Sequence, residues 1–424
     1  MSHNDSILNT LNLKDPRIKF DENYYSEEII NDVESKIFSG KLCYVPDACP
    51  SCGHVFDPAI IKYGFKTSRI TLPKVSEFNA YLLLKKQRYY CRHCHQTFTL
   101  KTSIVKDNCF ISNNTKLAIA LKAKKKISEK DIASDYNVSH CTVSRTIDSF
   151  YQIYRPKKNF LPPHLSFDEF KSVKSAQGAM SFMFIDASSG KPIDIVEDRR
   201  IDHLIKYFMR YSKAARRSVK SIVIDMYVPY MQLIKKVFPN AHIILDRFHM
   251  VQLFSRAFNK TRVLAMKEHT AYHYKFKKYW TLLLKNHADL DCIHSYYRRC
   301  FKKHMRQIDI VEFFLDLDPV LKASYILYQE VLTAIKYRKD DLLESLLKNA
   351  DPLVSDYIRT AIQSMLKYLD YAKNGLRYPY SNGRIEGLNN KIKVIKRIAF
   401  GYRSFYHFRN RILISFNIAS LKAA

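Results

Sequence analysis

The stretch LSFDEF at residues 165–170 decides how the fold is read, because it opens a series of similar apolar runs. AMSFMFID (179–186) and PIDIVEDR (192–199) come next in quick succession, then SIVIDM (221–226) and HIILD (242–246). Each is a short apolar run bounded by polar residues, the pattern of a buried strand. The segments between the last three read as helices. The expected order is therefore three strands in a meander, a helix, a strand, a helix and a fifth strand. Acidic residues fall at telling places in it. Asp168 lies within the first strand, Asp225 ends the fourth and Asp246 ends the fifth.

That order is the layout of a ribonuclease-H-like fold, in which a central strand, its neighbour and a late helix bring three carboxylates together. The late helix is expected in SNGRIEGLNNKIK (381–393), where Ser381 or Asn382 can cap it and Glu386 falls in its first turn. Asp168, Asp225 and Glu386 are thus the candidate catalytic and magnesium-binding residues. Three carboxylates can hold two Mg²⁺ (or Mn²⁺) ions, one activating a water or a 3′-hydroxyl and the other stabilising the leaving oxygen. A single Asp at a strand end is more often a cap or a solvated residue. Asp186, Asp194 and Glu197 are rivals in the same region. Asp246 in LDRFH is a stronger fourth candidate, and His249 either assists beside the metals or packs beneath them. Glu169 should face away from Asp168.

Two further modules precede this core. Cys49-Pro-Ser-Cys52 and Cys91-Arg-His-Cys94 are CxxC pairs. Each pair puts two thiolates on one tight turn, and two pairs complete a tetrahedral sulfur site for one structural Zn²⁺. Gly53 suits the close of the first turn. The long spacing between pairs fits a zinc ribbon with an enlarged loop. Cys43, His54, His93 and His95 read as neighbours, although His93 or His95 is able to substitute as a ligand. Lys62, Lys66, Arg69, Lys85, Lys86 and Arg88 interleave with tyrosines between the pairs, which suits either DNA or a solvated face. Residues 127–150 then read as a helix-turn-helix. Ser128 and Ser139 cap its two helices, Ile132, Ala133, Val143 and Ile147 point inward, and Asn137-Val138 makes the turn. His140, Thr142, Ser144 and Arg145 would face DNA. An ordinary helical hairpin is the plainer alternative.

Seventy Lys and Arg oppose forty Asp and Glu, a net charge of +30. A polyanion is needed to offset that self-repulsion, and nucleic acid is the commonest. The 47% hydrophobic content is enough for sizeable cores. No apolar run of about 18 residues and no signal-peptide pattern is seen, so no membrane partner is expected and the protein is read as cytoplasmic and nucleoid-associated in a bacterial-type cell. Cysteines in a reducing compartment favour metal over disulfides.

These motifs resemble the DDE transposases of the ISL3 insertion-sequence family, from about residue 40 onward: CPSCG, YYCRHCHQTFT, LSFDEF, VIDMYVPY, LDRFH and NGRIEGLNNKIKVIKRIAFGYRSFYHFRNRIL. The resemblance implies Asp168, Asp225 and Glu386 as the DDE triad, binding to double-stranded DNA at terminal inverted repeats and in the target, and metal-dependent strand cleavage and transfer. Mechanism and resemblance together imply a homodimer or larger synaptic complex. Lys391, Lys393, Lys396 and Arg397, with Arg403, Arg409 and Arg411 beyond them, would track the DNA backbone. Tyr402, Phe405, Tyr406 and Phe408 are read as packing residues. The expected architecture is α/β multidomain. It has an N-terminal arm (1–40), a zinc ribbon (41–105), a helix-turn-helix (106–155), and a ribonuclease-H-like catalytic core in two parts (160–255 and 376–424) split by a large all-helical insertion (256–375). The alternative functions are a catalytically silent, transposase-derived DNA-binding regulator and a ribonuclease-H-like nuclease of another kind.

Overall fold

The computed structural model describes residues 3–56, 58–152 and 154–421. The chain forms two compact units, Met1–Tyr154 with Ile392–Ala424, and Arg155–Lys391.

The first unit opens with helix α1 (His3–Thr10) and a sheet built from β1 (Ile18–Ile30), β2 (Val33–Leu42), β3 (Ile60–Val75), β4 (Phe78–Cys91) and β5 (Thr97–Thr99). The order is β1-β2-β4-β3 with β5 on β4, and only the β2–β4 pair is parallel. The polar lead-in read as an arm is therefore a helix and two strands. Its acids hid the pattern, since most of β1 is exposed. One sheet face is apolar and buries Ile18, Phe38, Leu42, Ile70, Leu82 and Leu84 against Ile7, Leu8 and Leu11 of α1. Three helices come next: α2 (Asn113–Lys122), α3 (Glu129–Asp135) and α4 (His140–Phe150). Ser128 caps α3 in a reciprocal pair with Asp131, and Ser139 caps α4. Asn137 takes a left-handed conformation in the turn between them (φ 48°). Ile132, Ala133, Val143 and Ile147 are buried.

The second unit is built on β6 (His164–Lys171), β7 (Met180–Asp186), β8 (Pro192–Val196), β9 (Ser221–Ile224) and β10 (His242–Leu245). Helices α5 (Ile201–Phe208) and α6 (Lys213–Arg217) precede β9, and α7 (Val228–Val237) lies between β9 and β10. The sheet order is β10-β9-β6-β7-β8. β7 and β8 are antiparallel, while β6, β9 and β10 run parallel. Phe167 of β6 is fully buried, with the rings of Phe182, Phe208 and Tyr230 around it. That aromatic cluster fixes the sheet on α5 and α7.

From α8 (Arg247–Glu268) onward the unit is nearly all helical: α9 (His273–Leu284), a small hairpin of β11 (Tyr296–Arg298) and β12 (Lys303–Met305), α10 (Gln307–Leu315), α11 (Pro319–Lys336), α12 (Asp340–Lys348), α13 (Asp356–Leu366) and α14 (Leu369–Arg377). Helix α14 docks on β10, where Asn374 donates to Ile243 O at 2.9 Å. Gly375 lies so close that a Cβ there would overlap Leu245 O. Helix α15 (Gly383–Ile398) comes next, and α16 (Phe405–Ser415) belongs to the first unit. There α16 buries Phe405, Phe408 and Ile412. Arg411 does not reach toward solvent as a phosphate ligand. It is buried and donates to Lys125 O and Ile127 O, closing the loop before α3.

Candidate active site and metal centre

The parallel pairing of β6 with β9 puts His164, Leu165 and Ser166 opposite Ser221, Ile222 and Val223. Continued two residues, that register sets Asp168 level with Asp225. On the other side Leu245 pairs with Ile224, so Asp246 comes to lie beside Asp225. Three aspartates from three adjacent strands thus end up in one row. In α/β sheets the carboxyl ends of parallel strands are where ligands bind.

Each aspartate has distinct surroundings. Asp168 accepts from Asn389 Nδ2 at 2.6 Å and from the Glu169 N–H at 2.7 Å. Burial, and then the neighbouring Asp225 charge, push its carboxyl up to about 7. Burial also raises Asp225, although His249 opposes this. Asp246 is buried but held low by His249 and the Asn382 N–H. His249 Nδ1 sits 3.0 Å from Asp225 Oδ1 and 3.3 Å from Asp246 Oδ2, and its pKa is raised, mainly by the Asp246 contact. Ligand atoms of Asp225, Asp246 and His249 all lie within 4.8 Å of one another. Asp168 and Glu386 are outside that group. Glu386 is in the first turn of α15 and exposed.

Two residues that sequence reasoning missed connect α15 to this row. Asn382 Nδ2 donates to Asp225 Oδ1 (2.9 Å) and to Phe167 O (3.3 Å). Asn389 Nδ2 donates to Asp168 and to Glu169 O (3.2 Å). Both side chains are buried, and both amide oxygens lack a hydrogen-bond partner. The two residues are two helical turns apart, with Glu386 between them. Their seven-residue spacing was the available signal; Asn382 read only as a helix cap. The rivals are otherwise engaged. Asp186 accepts from the Ser188 N–H and Ser189 hydroxyl, Asp194 from Tyr207, and Glu197 from the Gln177 N–H. Glu169 pairs with Arg199 and accepts from Tyr230 (2.6 Å).

In the first unit, the sulfurs of Cys49, Cys52, Cys91 and Cys94 cluster within 4.8 Å. Cys49 and Cys94 are 3.7 Å apart, and Cys52 and Cys91 3.9 Å. A tetrahedral zinc with Zn–S bonds of about 2.3 Å needs sulfurs roughly 3.8 Å apart, so the set fits the ion. The knuckles are alike. Cys49 N–H donates to His54 O, and Cys91 N–H to Gln96 O. The residue four past each first cysteine is left-handed: Gly53 (φ 72°) and His95 (φ 56°). Against burial, the N–H groups of Cys52 and Ser51 draw the Cys49 thiol down to about 6. His54 and His93 stack on each other, and His95 bonds Tyr90. None of these histidines belongs to the four-sulfur group.

A transposase family model of the DDE ISL3 type matches residues 165–412, more than half of the chain. The chain belongs to the ISL3 family of transposases. A second model, the zinc-finger of transposases IS204/IS1001/IS1096/IS1165, matches residues 46–94 of this transposase. Over 261 residues, 60% of the chain and 61% of the relative, it is 25% identical to the transposase for insertion sequence element IS1001 of Bordetella parapertussis. Over 117 residues, 27% of the chain and 37% of the relative, it is 45% identical to a Lactococcus lactis subsp. lactis protein named ATP-dependent protease. The transposase thus spans less than two thirds of either curated relative. No described helix is long and apolar enough to cross a membrane.

Among the residues read as DNA-facing, His140 lies 3.5 Å from Glu129 and Arg145 bonds its own helix at Cys141 O. Thr142 bonds the Ser139 cap, and Ser144 is turned to His407 of α16 (2.8 Å). Ser144 is therefore occupied within the unit. Lys391, Lys393 and Arg397 are exposed and Lys396 is half-buried.

Proposed function

We propose that this transposase cuts and joins DNA at the ends of its insertion sequence, with Asp168, Asp225 and Glu386 as the catalytic carboxylates. The observation that carries the reading is the row of aspartates on three adjacent strands, roofed by the first turns of α15. The strand order β10-β9-β6-β7-β8, with β6, β7 and β8 in a meander, supports the reading of a ribonuclease-H-like core. The α3–α4 pair supports a helix-turn-helix.

The donor set suits a hard divalent cation, Mg²⁺ or Mn²⁺. Burial, with the Asp225 charge beside it, lifts Asp168 to about 7, and the orphaned amide oxygens of Asn382 and Asn389 suit contact with a hydrated ion. Asp168, Asp225 and Glu386 would hold it, with Asp246 and His249 as auxiliaries. When bound, the cations supply an activated water or 3′-hydroxyl and offset charge on the leaving oxygen. The chain's own part is positional. Asn382 and Asn389 fix the rotamers of Asp225 and Asp168. Asp246, through the Asn382 N–H, anchors the start of α15.

DNA binding is supported by the zinc module and by a row of cations across the open sheet face. Lys19 pairs with Lys41, Lys41 with Lys85, and Lys85 with Thr67. Asp21 answers one of them, Lys41. Phosphates would answer the rest. Two ends must be held together, which calls for a dimer or larger complex.

The deciding experiment compares wild type with Glu386→Gln on labelled terminal-repeat DNA in Mg²⁺ or Mn²⁺. Cleavage by wild type alone, with equal binding, is the expected result. Binding without cleavage by either protein would favour the regulator, and cleavage by both would assign the wrong glutamate.

A further inference from the structure

Residues 270–308 of the helical insertion have no role in the aspartate site. They hold nine Lys and Arg against two acids, Asp289 and Asp291. The β11–β12 hairpin sets Arg298 directly opposite Lys303, a like-charge pair that weakens a strand pairing. Two strands of three residues have little stability of their own. Lys302 in the loop adds a left-handed backbone (φ 53°), which lysine rarely adopts. The hairpin stands because its base is pinned. Met305 is buried, and the Phe301 ring packs on Phe313 (5.0 Å) and Tyr279 (5.7 Å). A locally unfavourable element is thus held on a rigid seat, the pattern of a functional segment.

Both faces of the hairpin carry exposed aromatics, since successive strand residues point to opposite sides. Tyr296 and Tyr297 are 55% and 57% exposed. The Arg298 guanidinium lies over Tyr296, 5.3 Å from the ring centre. Lys278 of α9 reaches Cys300 in the hairpin loop at 3.4 Å, and Trp280 and Tyr274 of the same helix are exposed. Lys277, Arg299 and Lys302 pair with no carboxylate among the described residues. Unpaired cations interleaved with open aromatic rings match a strand that offers phosphates and unstacked bases.

We propose that the β11–β12 hairpin and the exposed side of α9 form a second DNA-contact surface, for DNA with unpaired bases. Arg299, Lys302 and Lys303 meet the phosphates, and Tyr296 and Tyr297 take the bases. This rests on the reading that the chain acts on DNA.

The test uses the full-length, zinc-loaded protein without Mg²⁺ or Mn²⁺, and a labelled 20-mer oligothymidylate (about the length of one or two such sites). Trp280 is the chain's one tryptophan, so its emission reports on this surface alone. Wild type should bind the oligonucleotide with a change in that emission. Tyr296→Ala/Tyr297→Ala should lose about tenfold or more in affinity. Arg299→Ala/Lys302→Ala/Lys303→Ala should lower the slope of log affinity against log salt by about 2. Both variants should bind blunt terminal-repeat duplex as wild type does. Wild-type affinity for oligothymidylate in both variants overturns the proposal. So does hairpin-dependent preference for oligouridylate, which makes the partner RNA, or a change in the mass of the free protein without a change in DNA affinity, which assigns the surface to a second copy. A protein that binds here yet never cuts strikes only the catalytic reading. Hairpin variants that bind normally in a protein that cuts strike only this one.

Discussion

Asn382 and Asn389 each give both amide protons' worth of contact to one carboxylate and one backbone carbonyl, and each leaves its oxygen unsatisfied. Partners of this kind orient the ligands they touch, and their loss costs about 10–100-fold in metal affinity or activity. Asn389→Leu, which keeps the bulk and removes the amide, is expected to lower cleavage by that factor and to weaken Mn²⁺ binding in a direct titration. Binding to terminal-repeat duplex should stay put. An unchanged Mn²⁺ titration would remove the amide from the site. Gly375 is a second single-residue constraint, since no flexible group lies between it and Leu245 O. Gly375→Ala is expected to destabilise the chain by about 1–3 kcal/mol in urea unfolding. A substitution as stable as wild type would mean that α14 shifts freely on β10. The strands that carry the aspartates were legible in the sequence, because short apolar runs containing or ending at an acid are visible locally. The amides were not. Their partners lie far upstream, and an Asn at a helix start has a commoner explanation.

The helices of the first unit are joined by charge as well as packing. His407 of α16 lies 3.7 Å from Glu129 of α3. Glu129 raises the His407 pKa. His407 in turn holds Glu129 below its ordinary value, although burial opposes this. The raised histidine contributes fully below its ordinary pKa of 6.5 and loses that contribution as pH rises through its elevated value. The lowered glutamate contributes above 4.5 and loses it as pH falls. The pair therefore helps most between these values. Thermal unfolding of the full chain should fall from pH 6 to pH 8.5, and the fall should shrink in Glu129→Gln. An equal fall in the variant would assign it elsewhere. Elements with strong local signals were legible: the Ser128 and Ser139 caps and the cysteine pairs. β1 was not. Asp21, Glu22, Glu27 and Glu28 interrupt its apolar alternation, and only pairing with β2 makes it a strand.

Across the whole molecule, a charge of +30 makes DNA affinity a function of salt. With six to ten phosphate contacts, about 10³–10⁵-fold in affinity should vanish between roughly 50 and 200 mM salt, measured on non-specific duplex. A flat response would rule out backbone contacts as the main term. Zinc removal has a separate signature. One ion per chain should be found by metal analysis, and Cys91→Ser should lose it. The same variant should lose repeat binding first, because Cys91 closes β4 at the base of the sheet.

Both units are finished by the same stretch of chain. The aspartate row takes its amide contacts from Asn382 and Asn389, and α4 of the α3–α4 pair meets α16 through Ser144 and His407. Asp246 and Asn382 are separated by the entire insertion, which a ribosome making roughly 5–20 residues per second takes about 7–30 s to add. Throughout that interval the nascent polypeptide has its acids but no roof over them, and an α3–α4 pair without α16. A stop codon or frameshift anywhere in the insertion therefore leaves the aspartates without their amide partners and the α3–α4 pair without α16.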